Sequence, residues 1–448
     1  MKFNWKAFTA AILCLVMVLG LCACGAGTGS EANNGDNGDN GEAAVENGSE
    51  AVTVSGPITI EFWHTRSGDH GKLLDEQIKK FNETNTLGIT VVGTYQGSYY
   101  DVLSKVKTAY GTDTAPVLAL VGAGGIEELA ENGAVKDMSA YVERDSWDVE
   151  NIPESLRYYM EHYEGQIIEF PYLVSSAIIY YNKQYYSAEP TSLEEFASMA
   201  EEITANNPGI VGMGIGLDTG FIQRPILRSL GAPGLTLGGG DQPALLDDGY
   251  LVQHMNDWKS WIDGGYCAGV DAVDSSTKMR NAFLTGKQAA YVSSSADMKQ
   301  VIEDAKANGV DLGVAKFVGY GGYCAPIGGG GIVALDTASA QETAAAWEFI
   351  KFLFEDEQVV ANAIRTGYLP YTISAGSNAE MVAYWNENPL TKVAYDQLEY
   401  ATYNEWSVYL EQWRDKIAAA FAFVITDGSM TPEQAINFLR TQAEAIFP

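Results

Sequence analysis

From Pro57 onward, short strand-like runs alternate with runs of helical period, and this alternation constrains the fold more than any other feature of the chain. Ile58–Trp63 is β-branched and alternating, which predicts a strand. Gly71–Phe81 places Leu73, Leu74, Ile78 and Phe81 on one side of a helix. Gly88–Thr94 predicts a second strand, Tyr99–Tyr110 a helix and Val117–Val121 a buried strand. Ser192 with Glu195 has the spacing of a capping box, opening a helix with Leu193, Phe196, Met199, Ala200 and Ile203 on one face. Thr431-Pro432-Glu433-Gln434 is a second helix start, with Pro at the first helical position. Such alternation predicts α/β layers with largely parallel sheets. The chain has 448 residues, enough for two large lobes or, at roughly 150 residues each, about three domains.

Composition removes several function classes. The 46% apolar content and five cysteines exclude a disordered or disulfide-stapled chain. With 27 Lys+Arg against 58 Asp+Glu the net charge is −31, which argues against nucleic acid, because binding the phosphate backbone depends on basic side chains. No segment after Cys24 reaches roughly 18 consecutive apolar residues, so a multispanning protein is excluded.

Lys2 and Lys6 precede an apolar run, Ala7–Ala23, too short to span a bilayer and ending in small residues, which reads as an export signal over 1–23. Leu21-Cys22-Ala23-Cys24-Gly25 resembles a bacterial lipobox and implies lipid attachment at Cys24. An uncleaved N-terminal anchor helix would leave the body on the same outer face of the cell membrane. Residues 25–56 are rich in Gly, Asn, Ala, Ser and acids, so 24–56 reads as a lipidated cysteine with a flexible acidic tether.

The body carries a family likeness. Ile60-Glu61-Phe62-Trp63-His64 with Phe81-Asn82, Ala115-Pro116-Val117 and Tyr180-Tyr181-Asn182-Lys183 resemble extracellular solute-binding proteins of sugar-type ABC importers (family 1). Phe283–Ala289, Trp347–Leu353, Thr366-Gly367-Tyr368-Leu369-Pro370 and Thr431–Ala435 continue the pattern in order. Tyr95–Tyr99 and Gly220-Phe221-Ile222-Gln223 extend the likeness to the glycerol-3-phosphate-binding component. The resemblance implies a two-lobed periplasmic-binding-protein-like α/β fold of the maltose-binding-protein type, with an interlobe ligand cleft. Its three crossovers would lie near Pro171–Ser176, Ala325–Gly331 and Tyr368–Thr372. The N-terminal lobe would comprise 57–171 plus 331–370, and the C-terminal lobe 172–330 plus 371–448. It further implies a monomer without cofactor or catalytic residue. Its partners would be a carbohydrate or glycerol-phosphate-type solute and the ABC permease subunits in the membrane.

By the same resemblance, Tyr99 and Tyr368 match ligand-contacting tyrosines, Arg414 matches a phosphate-gripping arginine, and Ser175 and Ser294 fall near two pocket serines. Phe221 keeps part of a pocket motif. Gly329 and Gly330 belong to the run Gly328–Gly331, where missing side chains suit both a hinge and close approach of a ligand to backbone N–H groups. Aromatic residues make up 11% of the chain, and Tyr and Trp combine flat apolar faces with polar tips suited to polyols. The blander readings are a helix-start residue for Tyr99, a hinge-packing ring for Tyr368 and a surface ion pair for Arg414. Two departures stand out: Ala123 occupies the position of the family's hydroxyl-accepting carboxylate, and a pocket tryptophan of the family is replaced in the stretch Gly216–Phe221, with Arg224 extra just after it. A larger sugar, a phosphodiester or another anionic solute therefore stays open. His64, His70, His162 and His254 show no metal-ligand spacing, and Cys267 and Cys324 read as two unpaired buried thiols. The rival function is a secreted lipoprotein glycoside hydrolase, suggested by the abundance of acids and aromatics, although no catalytic signature is found.

Overall fold

The computed structural model describes residues 51–161, 163–232, 244–246, 249–268, 275–402 and 409–447. The expected signal, Cys24 and most of the tether lie outside the described residues, as does His162. The last tether residues, 51–56, are held against the body. Ala51, Val52 and Val54 pack on the core, and the Val52 carbonyl accepts from Arg144 Nη1 at 2.6 Å. Their apolar, alternating composition is what separates them from the polar stretch before.

A five-stranded sheet has the order β2-β1-β3-β8-β4, with β1 Ile58–His64, β2 Ile89–Tyr95, β3 Leu118–Gly122, β4 Phe170–Ser175 and β8 Gly328–Ala334. One face of this sheet is covered by α1 (Gly68–Thr84) and the helix Ala340–Leu353, where Phe62 and Phe81 meet Phe349 at ring separations of 5.9 and 5.1 Å. The other face packs on α2 (Tyr99–Ala109) and α3 (Ala123–Glu131) through Val102, Val106, Ile126 and Val333. The predicted stripe Leu73, Leu74, Ile78 and Phe81 is buried, and α1 stops at Asn85, whose Nδ2 donates to the Phe81 and Ile89 carbonyls. A capping box of Ser98 and Asp101 opens α2.

A second, three-stranded sheet has the order β6-β5-β7, with β5 Ala177–Asn182, β6 Ala290–Ser294 and β7 Leu312–Lys316. Every residue of β5 is buried, and its faces divide by period two. Ala177, Ile179 and Tyr181 join a core with Phe196, Trp258 and Trp413. Ile178 and Tyr180 join the core that also contains Phe62 and Trp347.

The sheets are less parallel than the alternating pattern predicts. β1 pairs parallel with β2 and β3, but β8 is antiparallel to β3 and β4, and β5 is antiparallel to both neighbours. β1, β3 and β4 run toward the second sheet, whereas β8 enters from it and must run the other way. β4 stays in the first sheet through Ser175, past residue 171 where the sequence reading divides the lobes, and the chain joins the second sheet at Ala177. Of the two predicted caps, one forms in full and the other in part. Thr431 and Gln434 complete a capping box. Ser192 caps its helix, but Glu195 turns its carboxylate to Thr191 N and Oγ1 instead of back to Ser192.

The three passages between the sheets lie side by side. Ser175 and Val174 pair with Gly328 and Gly329, and Leu369 N donates to the Val174 carbonyl at 2.8 Å. Ser176 Oγ donates to the Pro326 carbonyl at 2.7 Å. Gly329 has φ +119°, and a Cβ there would sit 1.5 Å from the Leu173 carbonyl oxygen. Gly329→Ala should therefore cost about 2 kcal/mol or more of stability in urea unfolding; a midpoint equal to wild type would show that this strand register is not needed.

Candidate solute-binding cleft

The ends of β3, β4, β6 and β8 open onto a cleft of about 740 Å³. Seven of the sequence-derived positions line it: Tyr99, Ser175, Phe221, Ser294, Gly329, Tyr368 and Arg414. Gly330 does not line it but lies under the Tyr99 ring, where a Cβ would come within 2.6 Å of Cε1. Tyr99 begins α2, and its hydroxyl, raised in pKa by burial and then by Tyr368, is buried without a well-formed hydrogen bond. Tyr368 follows Gly367, whose φ of +89° ends the helix Asp356–Thr366, and its N–H donates to Thr366 Oγ1. Ser294 Oγ accepts from Ala296 N at 3.2 Å, and the Ser294 carbonyl accepts from the Tyr180 hydroxyl at 2.9 Å.

The motif Gly220-Phe221 acquires a physical reason. The Arg414 guanidinium lies against Gly220, where a Cβ would be 2.2 Å from Cζ, so any other residue would displace it. Asp218, which the sequence reading missed, accepts from Phe221 N at 2.9 Å and faces Arg414 Nη2 at 3.5 Å. Phe221 packs over Gly328, where a Cβ would come within 2.4 Å of the ring. Phe221 and Arg414 also border a second chamber of about 780 Å³, reached past Ser294 and lined by Ser275, Met279, Asp297 and Ala418.

The electrostatics are mixed. Position 123 opens α3 between cleft-lining Gly122 and Gly124, and its N-cap, Gly122, has no side chain to offer as a cap. Unpaired N–H groups and the helix dipole favour an anion there. Against that, Glu128 on α3 lines the cleft, paired with Lys107, and Asp415 lines it beside Arg414. Arg224 is a structural residue: it is 1% exposed and donates from Nε to the Gly220 carbonyl and from Nη2 to the Thr402 carbonyl. Among the described residues no cluster of His, Cys, Asp and Glu is arranged to hold a metal ion. Cys267 and Cys324 are free and buried, and burial raises both thiols. His64 and His254 are lowered to about 4 and about 3 by burial.

These features can be set beside known proteins. Residues 76–391 match the bacterial extracellular solute-binding protein model. The chain belongs to that family.

Among its relatives, the sn-glycerol-3-phosphate-binding periplasmic protein of Shigella dysenteriae is 25% identical over 378 residues, covering 79% of this chain and 82% of the relative. The corresponding Rhizobium meliloti protein is 22% identical, covering 74% and 79%. Two solved structures share the fold. One, from Mycobacterium tuberculosis in complex with glycerophosphocholine, has TM-score 0.73 at 22% identity, covering 88% of this chain and 98% of that one. The other, the cyclic alpha-maltosyl-1,6-maltose binding protein from Arthrobacter globiformis, has TM-score 0.74 at 17% identity, covering 87% and 99%. The fold is thus the two-lobed α/β binding-protein type, and this solute-binding protein binds rather than transforms its ligand.

One buried acid of this solute-binding protein escaped the sequence reading. Glu169 is 5% exposed, lies against Gly331 where a Cβ would come within 2.3 Å of its Cγ, and is close enough to influence Tyr99. Burial pushes its carboxyl from the ordinary 4.5 up to about 8. The folded state therefore holds this proton more tightly than the unfolded chain, and stability should fall as pH rises through the window from 4.5 to about 8. Glu169→Gln should flatten that slope in thermal unfolding across the same window; a variant with the wild-type slope would assign it to other groups.

Proposed function

We propose that this protein captures a phosphate-bearing polyol or glycerophosphodiester outside the cell and delivers it to the permease subunits of an ABC importer. The observation that carries this reading is Arg414, held flat against Gly220 in a cleft that also receives the uncapped start of α3. A guanidinium grips phosphate with paired N–H donors, and a helix N-terminus adds further donors to the same charge. The glycerol-3-phosphate-binding relatives and the glycerophosphocholine complex point the same way. The chamber beyond Arg414 leaves room for a second ester arm. Tyr99, Ser175, Phe221, Ser294, Gly329, Gly330 and Tyr368 would line or support the polyol end. Loss of a carboxylate at Ala123 removes one acceptor for its hydroxyls.

In this reading the two sheets belong to lobes that close over the ligand by bending at the adjacent passages. The protein acts as a monomer, tethered through lipidated Cys24 at the outer face of the membrane. Family membership leaves the glycoside hydrolase reading without support.

Calorimetry with sn-glycerol 3-phosphate, glycerophosphocholine and maltose tests the ligand class. The phosphate-bearing solutes should bind without product formation, and Arg414→Ala should weaken them by about 10- to 100-fold, the worth of a hydrogen bond to a charged group. Maltose binding with no response to phosphates would overturn the anionic reading. For the anchor, Cys24→Ser should release the protein from the membrane fraction; retention would count against lipidation at that residue.

A further inference from the structure

Arg66 lies in the turn between β1 and α1 and is 3% exposed. Its Nη2 donates to Asn362 Oδ1 at 2.9 Å, while Nε and Nη1 have no hydrogen-bond partner among the described residues. Among those residues it also makes no ion pair. What surrounds the charge is aromatic: the guanidinium carbon stands 5.8 Å from the Tyr172 ring centre and 5.5 Å from that of Tyr368. The nearby imidazoles offer no negative charge, and Asp75, the carboxylate that borders the same outer cavity and acts on His64, forms no ion pair with Arg66. His64 Nδ1 accepts from Arg66 N at 3.2 Å, and burial, with Arg66 contributing, lowers both His64 and His70.

A buried cation without a counter-ion is costly, and ring faces offset only part of that cost. Such a group persists where its charge is used. Tyr368 joins Arg66 to the cleft, since the same ring flanks the guanidinium and lines the binding space. Arg66 also opposes the burial-driven rise at both Tyr368 and Tyr99, the two hydroxyls at that wall. A cation behind a phenol draws electron density from the ring and makes its O–H a stronger donor to an anion.

We infer that Arg66 is a charge-selecting positioning residue of the cleft, whose buried guanidinium, outside any ion pair, holds Tyr368 in place and biases the site toward anionic solutes. This rests on the phosphate reading above and goes beyond it, because Arg66 stands behind the wall rather than on it.

The test uses the whole mature protein, with sn-glycerol 3-phosphate as the probe in calorimetry and thermal unfolding without ligand. Arg66→Met should weaken binding on the order of tenfold while leaving the unliganded melting temperature equal to wild type or higher, because an unpaired buried charge has been removed. Arg66→Lys, which keeps the charge but not the fork, should recover most of the affinity. Wild-type affinity in Arg66→Met would overturn the inference, as would a lowered melting temperature with no recovery in Arg66→Lys. Wild-type protein that binds no phosphate-bearing solute would instead overturn the ligand reading and this one with it. Binding by wild type with Arg66→Met unchanged overturns the role of Arg66 alone.

Discussion

Everything in this molecule that bears on binding depends on one backbone arrangement: three chain passages hydrogen-bonded edge to edge at Val174, Gly329 and Leu369. β8 can lie there only because Gly329 adopts a positive φ against the Leu173 carbonyl and because its neighbours lack side chains. Gly328 leaves space for the Phe221 ring, Gly330 for the Tyr99 ring and Gly331 for the Glu169 carboxyl. The glycine run is thus one element with two consequences. It lets the passages lie close, and it lets groups from both sheets converge on one cleft.

The convergence sets what the cleft can recognise. Arg414 reaches it from the helix Leu410–Phe421, Tyr99 from the start of α2, Ser294 from the end of β6 and Tyr368 from the last passage. Polar tips, ring faces and one uncapped helix start meet there, with carboxylates at the rim. Hydrogen-bond donors beside acceptors and flat apolar surfaces suit a polar, hydroxyl-bearing solute rather than a neutral hydrocarbon. The acidic surface of the body does not contradict this, because exposed carboxylates such as Asp69 and Glu76 are engaged with Lys72 and Arg365 and are screened by solvent.

Much of this was legible in the sequence wherever the signal was local. The stripe Leu73, Leu74, Ile78 and Phe81, the helix from Tyr99 and the Thr431–Gln434 box each depend on short-range patterns, and each forms. Sheet direction was not legible, because whether β8 runs with or against β3 depends on which sheet the chain comes from. Glu169, Asp218 and Arg66 were missed for a related reason. Their partners, Gly331, Arg414 and Tyr368, lie far along the chain, so no spacing pattern announces them. Arg224 misled in the opposite sense: an extra cation beside a pocket motif is in fact spent on the carbonyls of Gly220 and Thr402.

The sequence by itself therefore determined the α/β class, the helix starts, the glycine-rich passage and the family likeness, all of which rest on short-range periodicity or ordered motifs. Only the tertiary structure decided that Tyr99, Ser175, Phe221, Ser294, Tyr368 and Arg414 share one space, that Gly220 seats a guanidinium, and that Arg66 is buried with no ion pair among the described residues. Burial and electrostatic pairing are properties of what surrounds a side chain in three dimensions, and those surroundings come from segments hundreds of residues apart.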